Sequence, residues 1–302
     1  MRIAVISDIH SNLEAAEAVF KDIIDEQNVD RVVCLGDTIG YGADPEACLD
    51  LVIENCDHVL GGNHEYGVLD EDFWFEIFKH PANKAVRWTA QRLNSLQGGR
   101  YTEFLARLDP HHQDREDVLY VHASPRDPVT EYFSKGDVEK FLKEYARKEK
   151  GEEKQGVKKK QTQESEEETA EDKLDINFGL FEKLCFSGHN HIPGILIKPN
   201  NPYRHLIIIG ASEPITLDKP YNAVLPKDLR QGIYELRDDE KIIVNVGAVG
   251  QPRNGDPRAS YFIYDVETIR CVRVSYDYET AARKILDAGL PKFLATRLKK
   301  GE

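Results

Sequence analysis

The beginning of the chain alternates short apolar runs with helical patterns. Apolar runs at residues 2–7, 31–35 and 58–60 are separated by segments with apolar residues at helical spacing, 12–25 and 45–54. Strand, helix, strand, helix, strand is the pattern of a parallel sheet with helices on its faces. In such sheets ligands and catalytic groups gather at the carboxyl ends of the strands. The sequence therefore predicts that the residues following these runs carry the chemistry.

Polar residues directly follow five predicted strands, including two later ones at 118–121 and 183–187. The five segments are Asp8-Ile9-His10, Gly36-Asp37, Gly62-Asn63-His64-Glu65, Val121-His122 and Gly188-His189-Asn190-His191. One such segment alone carries little information, but the fold would bring all five to one edge. Carboxylate, amide and imidazole ligands together suit borderline metals such as manganese, iron or zinc. Because no thiolate is present in these segments, a structural zinc site is not favoured.

The ligand set is large enough for two metal ions. A carboxylate has two oxygens and can be shared, so Asp37 is the natural bridge. The other ligands divide into Asp8, His10 and His191 on one metal and Asn63, His122 and His189 on the other. Two metals about 4 Å apart can bind a hydroxide between them and lower its pKa toward neutrality. Such a hydroxide is a nucleophile for a phosphoryl group and needs no side-chain base.

His64 stands beside a predicted ligand but has a different predicted role. With Asn63 on the metal, His64 can point at the substrate. There it could donate a proton to the leaving oxygen or stabilise charge on the phosphoryl group. The alternative is a structural histidine held by hydrogen bonds.

The motifs of the chain resemble those of the calcineurin-like metallophosphoesterases. They are DIH at 8–10, GDTIGYG at 36–42, GNHE at 62–65, VHASP at 121–125 and GHNHIP at 188–193. The segments NVGAVGQPRNGDPRASY and KILDAGLPKFLATRL are similar to the small bacterial and archaeal, phosphodiesterase-like branch. The resemblance covers nearly the whole chain. It implies an α/β (α+β) fold, a four-layer α/β/β/α sandwich with two central mixed sheets flanked by helices.

The same resemblance implies the site and the activity. It implies seven metal ligands, Asp8, His10, Asp37, Asn63, His122, His189 and His191, and a catalytic histidine at His64. Two divalent ions are expected, manganese, iron or both, with zinc as a third option. The expected reaction is hydrolysis of a phosphoester or phosphoanhydride of a small nucleotide-like substrate, by a phosphodiesterase or a dinucleoside polyphosphate hydrolase. Alternatives are a serine/threonine phosphoprotein phosphatase and, in another class, a non-catalytic metal-binding scaffold.

Four further residues are candidates for substrate binding, each with a plain structural alternative. Arg253 and Arg258 could hold phosphate oxygens by paired hydrogen bonds, or anchor a turn at the surface. Tyr41 could stack on a base, or pack on the core. Asn12 could orient a metal ligand, although capping of the following helix is the better-supported role.

Charge and composition restrict the kinds of partner that the protein can bind. The net charge of −13 argues against a long nucleic acid and against an anionic membrane surface. No signal peptide is evident, and no apolar run approaches the about 20 residues that span a bilayer. We therefore expect a cytoplasmic protein that acts on a small phosphorylated substrate. The oligomeric state stays open, a homo-oligomer included.

We expect one metallophosphoesterase domain over 1–302, with a charged insertion at 143–173. The insertion has a basic half and then an acidic half, and it offers little apolar surface to bury. A flexible solvated segment is the simpler interpretation. A lid or a partner-binding arm is the alternative, because the insertion lies between two ligand segments.

Overall fold

Two β-sheets lie at the centre of the protein. A computed structural model describes residues 1–70, 72, 78, 80–96, 98–114, 117–132, 170–199 and 233–302. The strands in these ranges are β1 (Arg2–Ile6), β2 (Arg31–Cys34), β3 (His58–Val59), β4 (His111–Asp114), β5 (Val118–Val121), β6 (Leu184–Ser187), β7 (Gly194–Pro199), β8 (Ile233–Glu235), β9 (Glu240–Asn245), β10 (Ala259–Asp265) and β11 (Thr268–Val274). The helices are α1 (Leu13–Asp22), α2 (Pro45–Asn55), α3 (Asn63–Leu69), α4 (His80–Asn94), α5 (Arg100–Leu105), α6 (Ala170–Gly179), α7 (Tyr278–Asp287) and α8 (Lys292–Leu298), and a π-helical turn, Ile23–Gln27, continues α1.

The first sheet contains the strands predicted at the start of the chain. Its order is β3-β2-β1-β10-β11-β8, and β1, β2 and β3 run parallel. β10 pairs antiparallel with β1, and β11 and β8 continue the sheet in antiparallel fashion. The parallel half therefore brings the carboxyl ends of β1, β2 and β3 to one edge.

The second sheet has a parallel centre and antiparallel edges. Its order is β4-β5-β6-β9-β7, in which β5, β6 and β9 run parallel. The sequence pattern predicts a largely antiparallel second sheet built from 206–210, 232–236, 242–246 and 261–265. That prediction is wrong, because 233–235 and 261–265 belong to the first sheet and β9 is parallel to β6. Residues 206–210 lie outside the described ranges. Neighbouring strands in a sheet can be distant in sequence, so a local sequence pattern does not indicate which strands pair.

The two sheets face each other across a shared apolar core. Val5 and Val33 of the first sheet meet Tyr120 and Phe186 of the second, and all four are fully buried. Helices α1 and α2 cover the other face of the first sheet. Helix α6 covers the other face of the second sheet, where Lys241 Nζ donates to a carbonyl oxygen of α6 at 3.1 Å. These four layers with two mixed sheets in the middle confirm the predicted fold class.

The C-terminal helical pattern forms two helices. The sequence predicts an amphipathic helical pattern over 279–300, without a break; in the structure α7 ends at Asp287 and α8 begins at Lys292. Gly289, with a φ of 69°, and Pro291 lie between them. A left-handed glycine commonly ends a helix, and a following proline cannot continue it. The two short helices share one apolar cluster that includes Ile285 and Leu294.

Two predicted segments lie partly outside the described residues. The helical stretch predicted over 70–108 contains α4 and α5, whereas its residues Phe73, Trp74 and Ile77 are outside. The charged insertion at 143–173 is also outside, apart from residues 170–173, which begin α6. Its role stays a prediction. Within the described ranges, no helix combines the length and the apolar character needed to cross a bilayer.

Candidate metal centre

The five predicted ligand segments meet at one edge of the two sheets. Main-chain bonds join the loops: the Asp8 N–H donates to the Gly36 carbonyl oxygen at 3.0 Å, and the Gly188 N–H donates to the His122 carbonyl oxygen at 2.8 Å. The His189 N–H donates to the Asp8 Oδ2 at 2.9 Å, which links the two sheets. The candidate site is therefore built where parallel strands of both sheets end, as the sequence predicts.

The ligand loops have an unusual backbone. Five of the seven predicted ligands have left-handed φ values between 51° and 62°: Asp8, His10, Asp37, His189 and His191. This conformation costs a non-glycine residue about 1–3 kcal/mol and concentrates at functional sites. The loops also pass very close to one another, since a Cβ on Gly62 would lie 2.2 Å from Asp37 Oδ1. The fold thus holds these side chains in a geometry that the isolated loops would not adopt.

Asp8, His10 and His191 form one cluster. One ligand atom from each lies within 4.8 Å of the other two, and all three side chains are buried. His10 Nδ1 lies 3.2 Å from the Ile39 carbonyl oxygen, and His191 Nδ1 lies 2.6 Å from that of Gln251. A carbonyl oxygen can only accept, so each Nδ1 carries the proton and each Nε2 has a free lone pair.

Asp37, His122 and His189 form a second buried cluster with the same spacing. His122 Nδ1 donates to the Leu35 carbonyl oxygen at 3.1 Å, so its Nε2 is the nitrogen that faces the cluster. That Nε2 lies 3.1 Å from His189 Nδ1 and 3.2 Å from Asn63 Oδ1. Asn63, predicted as a ligand, is thus brought to the same point.

Asp37 stands between the two clusters. Its Oδ2 lies 3.7 Å from His10 Nε2 in the first cluster and 3.4 Å from His122 Nε2 in the second. Its Oδ1 accepts the main-chain N–H of His64 at 2.9 Å, which holds the carboxylate in this orientation. One carboxylate oxygen therefore faces ligand atoms of both clusters.

The donor atoms fit bound cations. The Nε2 atoms of His10 and His191 face each other at 3.0 Å, each with a lone pair, in a buried site. Asp8 Oδ1 and His189 Nε2 are buried without a hydrogen-bond partner. Facing lone pairs, with a buried carboxylate oxygen of Asp8 at 3.1 Å from His191 Nε2, are costly unless a positive charge lies among them. Divalent metal ions would supply that charge.

Protonation in the site agrees with metal binding. Burial acts to raise the pKa of Asp37, but the positive charge of His122 acts in the opposite direction. The net pKa of Asp37 lies well below its usual value. Burial, followed by a neighbouring positive charge, lowers the pKa of His189 to about 4 and that of His191 to about 3. Burial also acts to lower the pKa of His122, but Asp37 raises it to about 9. Ionised carboxylates and neutral imidazoles bind metals, and a bound metal would displace the proton of His122.

His64 is buried beside the two clusters. Its ring centroid lies 4.5 Å from that of Tyr41 and 4.9 Å from that of Phe78, and its Nδ1 is buried without a hydrogen-bond partner. Its Nε2 lies 4.0 Å from Asp37 Oδ2. A third cluster of ligand atoms, formed by His10, Asp37 and His64, also has metal-ligand spacing. The position is compatible with a catalytic role and with a ligand role.

Glu65 supports the loops of the candidate site, and the sequence reasoning did not single it out. Its side chain is fully buried and accepts four main-chain N–H groups, those of Asp37, Thr38, Ile39 and Gly62, at 2.7 to 3.3 Å. Burial, followed by the negative charge of Asp37, raises the pKa of Glu65 to about 7, although the main-chain N–H donors act to lower it. A signal was available: Glu65 follows the N-cap residue Gly62 by three positions, which is the spacing of the glutamate in a capping box.

A cavity of about 440 Å³ opens beside the metal centre. It is lined by Tyr41, Asn63, Phe78, Ala82, Thr130, Tyr132, His189, Arg253, Phe293 and Arg297. Two of the predicted substrate-binding residues, Tyr41 and Arg253, are therefore at the cavity. Arg297 of α8 also lines it and was not predicted, because nothing local in the sequence connects α8 with the ligand loops.

The other two predicted substrate-binding residues do not line the cavity. Arg258 is exposed and its guanidinium donates to the Asp256 carboxylate at 2.6 to 3.1 Å. Asn12 is buried: its Oδ1 accepts the Ala15 N–H at 3.2 Å, and its Nδ2 donates to the Gly250 carbonyl oxygen at 2.8 Å. Asn12 thus caps α1 and ties it to the loop before Arg253.

Comparison with known proteins identifies the family of this chain. The calcineurin-like phosphoesterase profile matches residues 1–193. An uncharacterized protein of Methanocaldococcus jannaschii is 31% identical over 300 residues, 98% of this chain and 96% of that protein. The crystal structure of a metallophosphoesterase from Sphaerobacter thermophilus is 28% identical with a TM-score of 0.69, and 100% of each chain is covered. A hypothetical protein from Pyrococcus horikoshii OT3, 13% identical with a TM-score of 0.62, covers 100% of this chain and 98% of its own, and shows the fold alone.

Two facing mixed sheets with a buried Asp, Asn and His site at their strand ends define a metal-binding phosphoesterase. The chain belongs to the calcineurin-like phosphoesterase family. It is a phosphoester hydrolase, and its family implies divalent metal ions, for which the buried His and Asp clusters have suitable spacing. The resemblance drawn from the motifs, and the enzyme class that it implies, are confirmed.

Proposed function

We propose that the protein is a dinuclear metal-dependent phosphohydrolase acting on a small nucleotide-like substrate. It would cleave a phosphoester or phosphoanhydride bond, as a phosphodiesterase or a dinucleoside polyphosphate hydrolase. The observation that carries the proposal is the position of Asp37 Oδ2, 3.7 Å from His10 Nε2 and 3.4 Å from His122 Nε2. An oxygen that faces both clusters suits a ligand shared by two ions.

The residues proposed to hold the metals follow the two clusters. Asp8, His10 and His191 would hold one ion, Asn63, His122 and His189 the other, and Asp37 both. The mixed oxygen and nitrogen donor set favours manganese, iron or both, and zinc would also be accepted. When bound, such ions lower the pKa of water and stabilise charge on phosphoryl oxygens.

We assign His64 the role of proton donor to the leaving oxygen. Its Nε2 is on the side of Asp37, at 4.0 Å from Oδ2, while its Nδ1 lies against Gly40. A proton on Nε2 would thus face the centre. Stabilisation of charge on the phosphoryl group is a second use of the same proton.

The cavity supports a small substrate. Its volume of about 440 Å³ falls within the range of about 300–1,000 Å³ that is typical of small-molecule sites. Tyr41, Phe78, Tyr132 and Phe293 offer aromatic rings for a base, and Arg253 offers a cation for phosphate. A serine/threonine phosphoprotein phosphatase is the alternative enzyme. A cytoplasmic location stays a prediction.

A non-catalytic metal-binding scaffold is the alternative in another class. Against it stands the complete set of eight residues, seven ligands and His64. Five of the ligands also adopt a strained backbone, which has a cost in stability and persists at functional sites.

The test loads the purified protein separately with manganese, iron, zinc or magnesium. Hydrolysis of an aryl phosphomonoester, an aryl phosphodiester, a dinucleoside tetraphosphate and a phosphopeptide is then compared. His64→Ala is the test variant, and His111→Ala, at an exposed position, is the matched control. Metal content per chain is measured on every sample.

The outcomes separate the hypotheses. Metal-dependent turnover that falls about 100-fold or more in His64→Ala, with unchanged metal content, supports the proposal. Loss of one metal in His64→Ala would make this residue a ligand instead. Two bound metals with no turnover on any substrate would favour the scaffold, and a preference for the phosphopeptide would favour the protein phosphatase.

A further inference from the structure

Two arginines from distant parts of the chain meet at one wall of the cavity. Arg253 lies in the loop after Gly250, and Arg297 lies on α8. Arg253 Nη2 and Arg297 Nη1 each donate to Gln251 Oε1 at 3.0 Å. Both side chains line the cavity. The shared acceptor therefore holds the two guanidinium groups next to each other.

Neither guanidinium is bonded to a side-chain carboxylate of the described residues, although the charge of Glu302 acts on Arg297. Arg253 Nε is buried without a hydrogen-bond partner, while Arg297 Nε donates to the main-chain oxygen of Glu302. Burial, followed by the charge of Arg253, lowers the pKa of Arg297 to about 10. Neighbouring cations with spare N–H donors are typical of a site for a doubly charged anion.

The arginine pair is coupled to the metal centre. The Gln251 carbonyl oxygen accepts the Nδ1–H of His191 at 2.6 Å, and the Arg253 N–H donates to the His191 carbonyl oxygen at 3.1 Å. The same cavity is lined by His189 and Asn63. An anion on the arginines would therefore lie close to a phosphoryl group at the centre.

We propose that Arg253 and Arg297 form a subsite for a second phosphoryl group, adjacent to the one that reacts. The preferred substrates would then be phosphoanhydrides, such as nucleoside diphosphates or polyphosphates, with the base among the aromatic side chains. This inference rests on the proposed function and gives α8 a part in substrate selection.

In the reaction the oxygen of one water forms a bond to the attacked phosphorus. The bridging P–O bond breaks, its electron pair stays on the oxygen of the phosphate at the arginines, and the protons of water go to the two products.

The test uses two stable ligands that differ by one phosphoryl group, methylphosphonate and methylenediphosphonate. Their binding to the metal-loaded full chain is measured by calorimetry, and their inhibition of aryl phosphate hydrolysis is measured alongside. The variants are Arg297→Gln and Arg253→Gln. Arg283→Gln, an exposed arginine on the neighbouring α7, is the matched control.

The wild type is expected to bind methylenediphosphonate at least about tenfold more tightly than methylphosphonate. Each test variant should reduce that preference by about 10- to 100-fold, the effect of losing a charged hydrogen bond. Arg283→Gln should leave it unchanged. An unchanged preference in both folded test variants would overturn the subsite, even if the protein hydrolyses phosphate esters well.

Failure of the proposed function looks different, because then the wild type hydrolyses none of the esters. Calorimetry still decides the subsite in that case, since it needs no turnover. Thermal unfolding checks that the variants fold. If Arg297→Gln does not fold, Arg253→Gln and Arg297→Lys decide, and the lysine variant should retain part of the preference because it keeps the charge.

Discussion

The Glu65 carboxylate holds Asp37 in place through the backbone: Glu65 Oε2 accepts the main-chain N–H of Asp37 at 2.7 Å. The same oxygen accepts the N–H of Gly62 at 2.8 Å, and Oε1 accepts that of Thr38 at 2.8 Å. One buried carboxylate thus joins the loop after β2 to the start of α3. Asp37 faces both ligand clusters, so the shape of its loop controls the whole site.

Glu65→Ala should destabilise the protein by about 3–5 kcal/mol, because it leaves several buried N–H groups without an acceptor. The loop that carries Asp37 should also lose its shape, so metal content should fall. Chemical denaturation and metal analysis measure the two effects. Glu65→Gln keeps one oxygen acceptor and should lose less stability. Glu54→Ala, at an exposed helix position, should be within about 0.5 kcal/mol of the wild type.

Gly40→Ala should impair catalysis through His64. A Cβ on Gly40 would lie 2.1 Å from His64 Nδ1, and Gly40 has a φ of 94°. His64 must then leave its present position, and kcat should fall at least about tenfold if His64 is catalytic. Gly98→Ala is the matched control, since Gly98 has a φ of 93° and open space around it. Steady-state kinetics showing equal, small effects for both variants would contradict a catalytic position for His64.

Asn12→Ala should lower stability by about 2 kcal/mol, because it removes a helix cap and a buried hydrogen bond to Gly250. Asn12→Ser keeps a capping oxygen and should lose about half as much. Denaturant titration distinguishes the two variants. A raised KM in Asn12→Ala with unchanged stability would instead support the predicted role in substrate binding.

Removal of metal should lower the thermal midpoint by several degrees. A ligand that binds the folded state at about 100 times its Kd contributes about 2.7 kcal/mol. The lone pairs of His10 and His191 would then face each other at 3.0 Å without a cation between them. Calorimetry with a chelator, then with manganese restored, measures the change. His122→Ala should shrink the metal-induced shift, whereas an identical shift in this variant would argue against His122 as a ligand.

Sequence patterns identified most of the elements near the site. The predicted strand at 118–121 has the bounds found in β5, and the helix predicted at 45–54 becomes α2, which ends one residue later at Asn55. These predictions succeed because apolar periodicity and turn residues are local properties. The break between α7 and α8 was not predicted, although Gly289 and Pro291 are helix-ending residues and were a local signal for it.

Pairing between distant strands could not be predicted from the sequence. β10 lies beside β1 in the first sheet, with Phe262 opposite Val5, although the pattern places it in the second sheet. An apolar strand can pair with any apolar strand of similar length, so its partner is settled by the packing of the whole core.

The sequence by itself determined the donor atoms of the candidate centre and their order after the strands, because short motifs carry both. The tertiary structure decided what no motif contains: the left-handed backbone of ligands such as Asp8, the four donors around Glu65, and the meeting of Arg253 with Arg297 on Gln251. The physical reason is distance along the chain. Contacts between remote segments depend on how both sheets and the C-terminal helices pack together, and local residue patterns do not encode that packing.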